Sequence, residues 1–370
     1  MLRKVLLAGA AGLVLAGAAA PVAAQSAPAS AAASAAWRDG LFGVRQDSDK
    51  GKVSVRLPAP DADGVLGRYL YQPGLSAGLG MDGAGLDRSG LGQTQIVVFR
   101  KVGNRVFAAF ENHRFRAVDA DPDQVNAVAA SFVSPVVWSA EATDAGADGS
   151  VTVDLSGFLE RDAVNVVSRL KRARLGTFKP AASLGYVDTA QTLVFPDNVE
   201  FQTVQTFTSD EPGGELSRVS PETRSVTLAV RHSFIRLPDE GFLPVLHDPR
   251  SGTSAQVTVT DFAADLDQPV VSRLARRFRL EKTDPTAARS TVKKPIVFYV
   301  DRAAPPAIRE ALIEGGNWWA QAFEQAGYLN AFRVELLPEG AHPMDARYNI
   351  ISWVHRETRG WSTGTSVNDP

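Results

Sequence analysis

Not one of the 370 residues is cysteine. Disulfides, thiolate zinc sites and cysteine nucleophiles are excluded together, so this chain must hold its fold by burial alone. The N-terminus makes that demand sharper. Arg3 and Lys4 precede an apolar Leu/Ala/Val/Gly run from Val5 to Ala20, and Val22-Ala23-Ala24 forms a small-residue cleavage site before Gln25. Residues 1–24 therefore read as a cleavable secretory signal peptide, cut after Ala24, and a secreted or periplasmic location is expected. Exported proteins commonly lean on disulfides. Here a core of two-domain size, in a chain that is 44% hydrophobic, must do without them. The leader's apolar run falls short of the ~20 residues of a membrane span, so no span is expected after cleavage. Residues 25–36 are an Ala/Ser/Pro-rich linker. With 39 Lys+Arg against 41 Asp+Glu, no basic excess exists to hold nucleic acid by charge.

Residues 37–284 read as a β-rich domain. Gln95 to Phe99 and Val106 to Phe110 are β-branched and apolar around Gly103-Asn104, the pattern of a hairpin. Further strands are expected at Val151 to Leu155, Val199 to Thr208, Ser225 to Arg236, Gln256 to Phe262 and Pro269 to Leu280, with a turn at Glu211 to Gly214. One helix is expected, Gly157 to Arg174, with Arg169, Lys171, Arg172 and Arg174 at its C-terminal end. The texture changes near Lys293. Pro295 to Val300 is continuously apolar, as in a strand buried on both faces. Pro305-Pro306 opens a helix that runs to Ala326, with Ile308, Leu312, Trp319 and Phe323 on its core face and Trp318 on its flank. Strands follow at Phe332 to Leu336 and Tyr348 to Val354. The order β-α-β-β over residues 285–370 is the first part of an α/β sheet domain, and the fold class is α+β.

Two motifs suggest chemistry but lack its context. Gly78 to Gly83 spells G-x-G-x-x-G, and Gly74 to Gly78 spells G-x-S-x-G. Each needs a helix directly behind it, one to cradle a pyrophosphate, the other to expose the serine. Ala84 to Gly90 cannot be that helix, so a glycine-rich loop is expected. The five histidines, His113, His232, His247, His342 and His355, include no i,i+4 or i,i+2 pair that would put two imidazoles on one face. His232 falls in the alternation Val226, Leu228, Val230, His232, Phe234 and is expected in the core. His355 is expected at a surface strand end. Arg273, Arg276, Arg277 and Arg279 read as the solvated face of a strand.

The run from Lys294 to Pro370 resembles the opening of the catalytic domain in bacterial secreted zinc-dependent metalloproteases of the met-zincin type. The segments Gly78 to Gly92, Arg231 to Pro238 and Arg277 to Ala287 resemble the large N-terminal domains of unknown function that such proteins carry. The resemblance implies a metzincin-like α/β domain over residues 285–370, incomplete because its zinc helix would come later. It implies zinc as the cofactor, and a peptide or protein as the substrate, of the full-length parent. The family's zinc motif, H-E-x-G-H-x-x-G-x-x-H, matches no position here. No catalytic, cofactor-binding or metal-binding residue is therefore assigned, no cofactor is expected in this chain, and the chain is expected to be inactive alone. By the same resemblance, Trp361 to Pro370 leads toward an edge strand, which leaves the Tyr348 to Val354 strand open to self-association. The alternative reading is a non-catalytic secreted β-rich binding module.

Overall fold

Gly103 has φ 57°, in the left-handed region that a two-residue hairpin loop asks of its first central residue. The expected hairpin therefore forms. It is the centre of a twelve-stranded antiparallel sheet in the computed structural model, which describes residues 36–81, 83–238, 241–251, 256–358 and 362–368. The leader and nearly all of the linker lie outside the described residues. The first strands are β1 (Gly43–Asp47), β2 (Lys52–Leu57), β3 (Val65–Ala77), β4 (Gln95–Val102), β5 (Arg105–Phe110), β6 (Phe115–Arg116), β7 (Val136–Ala145) and β8 (Val151–Asp154). Next come β9 (Lys179–Pro180), β10 (Tyr186–Val187), β11 (Leu193–Val194), β12 (Asn198–Thr208) and β13 (Ser225–Ile235). Spatial order is β1-β2-β8-β7-β5-β4-β3-β13-β12-β10, with β9 and β11 also on β12 and β6 elsewhere.

The ends of this sheet approach one another. Arg38 donates to the Thr192 carbonyl at 3.2 Å, Gln46 donates to the Thr189 carbonyl, and Phe42 lies edge-on to Phe234 at 5.8 Å. The sheet is thus curled around a single interior. Into it projects Phe158, from the one-turn helix between β8 and the next helical segment. Phe158 is fully buried and meets Tyr71 at 5.2 Å, Phe234 at 5.7 Å, Trp138 at 6.0 Å and Phe99 at 6.3 Å. A second apolar cluster lies around Leu75, Leu86, Val166, Leu170, Phe207 and Leu228.

Helices depart from expectation. The first, α1 (Pro122–Ser131), is one the apolar pattern does not announce, since none of its residues is buried. Its signal was the cap: the Asp121 side chain accepts from Gln124 N at 3.0 Å, with Pro122 at the first position. The expected helix Gly157 to Arg174 is instead two pieces, α2 (Ser156–Leu159) and α3 (Val166–Arg172). Asp162 breaks it by accepting from Val166 N and Val167 N, at 2.7 and 3.1 Å, while Asn165 turns left-handed at φ 55°. A short polar side chain has here outcompeted the continuing helix for backbone donors.

Beyond β13, β14 (Gln256–Asp261) pairs with β15 (Val271–Ala275) and, in parallel, with β6. The strand expected over Pro269 to Leu280 is confined to β15. Arg276 to Leu280 lie outside it, with Arg277 donating to the Leu243 carbonyl at 2.6 Å. Then come β16 (Ser290–Thr291), β17 (Ile296–Val300), α4 (Pro306–Asn317), α5 (Ala320–Gln325), β18 (Tyr328–Leu329), β19 (Phe332–Leu336) and β20 (Asn349–Ile351). The order β19-β17-β20 is parallel throughout. β17 is not buried on both faces: only Ile296 and Val300 are buried, with Val297, Phe298 and Tyr299 half-exposed. The expected single helix is broken at Trp318-Trp319. Asn317 ends α4 by donating to Ile313 O and Val334 O and accepting from Val334 N, each within 2.9 Å. Trp319 accordingly stands 65% exposed instead of in the core. The described residues fall in one compact unit, a β-rich body with an α/β part packed on it, and none of their helices is long and apolar enough to cross a membrane.

Phe158→Ala should destabilise the chain by about 3–5 kcal/mol, because the void would lie among the buried aromatic rings at the centre of the curled sheet. Urea unfolding would show this as a lower midpoint with an unchanged slope. A loss under about 1 kcal/mol would mean that the interior can collapse onto the space.

Candidate functional site

The two suggestive motifs occupy one strand and the loop after it. Ser76 lies within β3, its hydroxyl donating to Gln202 Oε1 at 2.5 Å, so no nucleophile elbow exists. Gly78 is pressed so closely on the Leu86 carbonyl that a Cβ would stand 2.0 Å from that oxygen, and Gly80 is left-handed. The expected glycine-rich loop is what forms. Arg169 of α3 grips it by donating to Gly85 O at 2.5 Å and Leu91 O at 3.1 Å.

The histidines do not converge. His232 is fully buried, as its alternation required, with Nδ1 2.8 Å from the Tyr71 hydroxyl and Nε2 3.3 Å from Thr203 Oγ1. Burial, with the nearby Arg161 charge adding to it, pushes its pKa down to about 3, so it is a neutral core residue. His113 pairs with Glu111 at 3.1 Å. His342 Nδ1 accepts from Met344 N at 3.1 Å. His355 is exposed beside Trp353, as expected, but it ends no strand: the strand expected over Tyr348 to Val354 is confined to Asn349–Ile351. Among the described residues no group of three or more His, Asp or Glu side chains could hold a metal ion, so these residues do not fit zinc.

What the fold does assemble is a polar seam that sequence reading missed. Directly opposed residues of antiparallel strands share a face. The register Glu200↔Ser233 and Ser233↔Gln72 therefore puts three polar side chains on the outer face of the sheet, opposite His232 and Phe201. All three are buried; Gln72 donates to the Gly92 carbonyl and accepts from the Thr94 hydroxyl, and the chain before β20 meets the row at Asn198, beside Glu200. Glu200 accepts from Ser233 Oγ and from Asn198 Nδ2, each at 2.6 Å, with Arg231 at 3.5 Å. Asn198 also donates to Met344 O at 2.9 Å and accepts from Ala346 N at 3.0 Å. On the far side of β20, Arg88 donates to Trp353 O at 2.7 Å and pairs with Asp301 at 3.4 Å. Arg356 pairs with Asp87 at 2.8 Å, Glu357 N donates to Gly80 O at 2.9 Å, and Arg218 pairs with Glu357 at 3.0 Å. β20 runs between these two sets of anchors and, among the described strands, pairs only with β17.

Burial pushes the Glu200 carboxyl up to about 7, against the opposing pull of Arg231, Ser233 and Asn198. Because its folded pKa is raised, its contribution to stability is complete below about pH 4.5 and is lost as pH rises to about 7. His232 works the other way: its folded pKa is lowered, so its contribution is present above about pH 6.5 and lost as pH falls toward 3. Between about pH 4.5 and 6.5 the two slopes, each about 1.4 kcal/mol per pH unit, offset one another. Glu200→Gln should unmask the histidine, so that stability relative to the parent changes by about 3 kcal/mol between pH 4.5 and 7. Urea midpoints across that range give the difference. Parallel profiles for the two proteins would show that Glu200 titrates in the fold as it does in the unfolded chain.

A family model described as "Domain of unknown function (DUF5117)" matches residues 89–283, from the end of the glycine-rich loop through β15. The match lies inside residues 37–284, where the resemblance places a domain of unknown function. No curated protein and no solved structure matches the chain. The match covers more than half of the 370 residues, and the chain belongs to the DUF5117 family.

Proposed function

We propose that this chain is the N-terminal portion of a secreted zinc-dependent metallopeptidase. In this reading the β-rich body precedes the catalytic domain and residues 285–370 open it. The observation that carries the reading is the parallel order β19-β17-β20 with α4 and α5 between β17 and β19. It is formed by residues 296–351, inside the run whose sequence resembles the start of a metzincin-type domain. A parallel sheet of this kind grows by adding strands at an edge, and among the described strands β20 is one of its two edges, β19 being the other. No described residue is given a catalytic or zinc-binding role. The leader read at residues 1–24 supports a secreted or periplasmic site of action.

The test is to follow the reading frame past codon 370, express the continued protein and assay peptide hydrolysis with and without a chelator. An H-E-x-x-H motif and chelator-sensitive cleavage are expected. A frame without the motif, or a continued protein that cleaves nothing, removes the peptidase reading.

One observation favours the alternative, a β-rich binding module. Phe242, Leu243, Val245, Leu246, Leu266 and Val271 are all exposed in one stretch of chain around β14 and β15, and exposed apolar groupings commonly mark interaction surfaces. The β20 edge supports a further expectation, that the protein self-associates. Ile350→Lys, which blunts an edge with a charge, should then lower the apparent mass by light scattering at matched concentration. A parent chain that is already a monodisperse monomer would dispose of the edge as an assembly surface.

A further inference from the structure

The polar seam has a geometry that neither functional reading requires. β20 is three residues long and its sheet has a small core, made chiefly by Val300, Ala304 and Val334. Such a strand would be poorly fixed by its own sheet, since one strand pairing supplies all its ladder bonds. Yet the chain is tied to the β-rich body immediately before β20 and immediately after it. Before it, the Asn198 amide spends its donor and its acceptor on the main chain at Met344 and Ala346. That amide is itself oriented by the buried Glu200 carboxylate. After it, Arg88 takes the Trp353 carbonyl, Gly80 takes the Glu357 N–H, and Arg356 reaches back to Asp87.

Most of these bonds end on backbone atoms of the β20 flanks. They therefore fix the path of the chain and are indifferent to which side chains it carries. The body side is stiff. The glycine-rich loop is held to β3 by Leu75 N to Gly90 O and Ser89 N to Leu75 O, at 2.8 and 2.7 Å, and to α3 by Arg169. Asn198 sits in the long β12–β13 pairing. Asp301, which ends β17, joins the two sides: its N–H donates to Ile351 O at 3.0 Å, and its carboxylate receives Arg88.

We infer that the β-rich body is a positioning device for β20, with Asn198 fixing the chain that enters the strand and the Gly80–Arg88 loop fixing the chain that leaves it. The free edge of β20 is then placed by the body and not by the α/β sheet alone. Asn198, Arg88 and Arg356 are positioning residues. The inference goes beyond the peptidase reading and would stand if that reading failed, because it concerns where an edge is held and not what pairs with it.

Amide hydrogen exchange on the full chain tests it. Arg88→Gln and Arg356→Gln should each speed exchange at residues 350–357 by about tenfold or more, and Asn198→Ala should do so at residues 345–351, while β12 and β13 keep their protection. Arg88→Lys, which retains one donor, should recover part of the protection at residues 350–357. The two arginine variants decide the question if Asn198→Ala does not fold. Unchanged exchange at residues 350–357 would overturn the inference. So would an equal rise in β12 and β13, which would make the seam an undifferentiated part of one cooperative core.

Discussion

The twelve-stranded sheet hides its inner face by curling around Phe158 at one end and by lying under α3 and the glycine-rich loop at the other. The ring touches aromatic neighbours from β3, β4, β7 and β13, strands from across the sheet order. Aromatic side chains bury the most area per residue and reward edge-to-face meeting, so one ring contributes to several strand placements at once. The Arg161 guanidinium stacks 3.9 Å from the same ring and donates to the Phe158 carbonyl at 2.9 Å. A cation held so deep is tolerable because its charge lies against ring faces and its Nε is bonded. Its presence also disfavours a second positive charge nearby, which is part of why His232 stays neutral.

Strict alternation makes the two faces of β12 and β13 chemically different. Val226, Leu228, Val230, His232 and Phe234 turn inward, whereas Arg231 and Ser233 turn outward beside Glu200. In an isolated sheet that outer row would meet water. Here it is buried, and burial of a carboxylate costs several kcal/mol unless it is bonded. Glu200 has two short hydrogen bonds and an arginine to offset that cost, and its raised pKa shows that the compensation is partial. The body thus spends stability at the seam, which a surface serving only to be covered could have avoided with apolar residues.

The local signals were readable where one segment determined them. Val199 to Thr208, Ser225 to Arg236 and the Gly103 hairpin emerge within three residues of their observed limits, because alternation and turn chemistry are properties of adjacent residues. β3 was not readable, although it is the longest strand. Gly67, Pro73 and Gly74 interrupt its pattern, and proline ordinarily argues against a central strand. Pro73 is tolerated because β4 has already ended at its level. There the glycine-rich loop has taken over the pairing, with Gly92 N donating to the Pro73 carbonyl. The seam was beyond sequence reading altogether. Asp87 and Arg356 are 269 positions apart, and neither has a local pattern that sets it apart from any other surface charge. The same blindness explains Trp319: helical period placed it inward, but the helix ends at Asn317 because Val334, on a different strand, offers that side chain both a donor and an acceptor.

This division bears on how the two parts of the chain relate. The β-rich body owes its closure to contacts among its own residues, Phe158 above all. The α/β part owes its own sheet to β17, but owes the direction of the chain around β20 to Asn198, Gly80 and Arg88, which belong to the body. Dependence of that kind is directional. Without the α/β part the row at Glu200 would lose the cover that Asn198 bonds to, and the charged form of Glu200 would gain solvation. The β20 flanks without the body would lose the partners of several main-chain groups, each worth on the order of 1 kcal/mol or more when bonded to a charged side chain. The β-rich region that holds its own aromatic core also fixes the chain on both sides of another part's edge strand, whatever chemistry that edge serves.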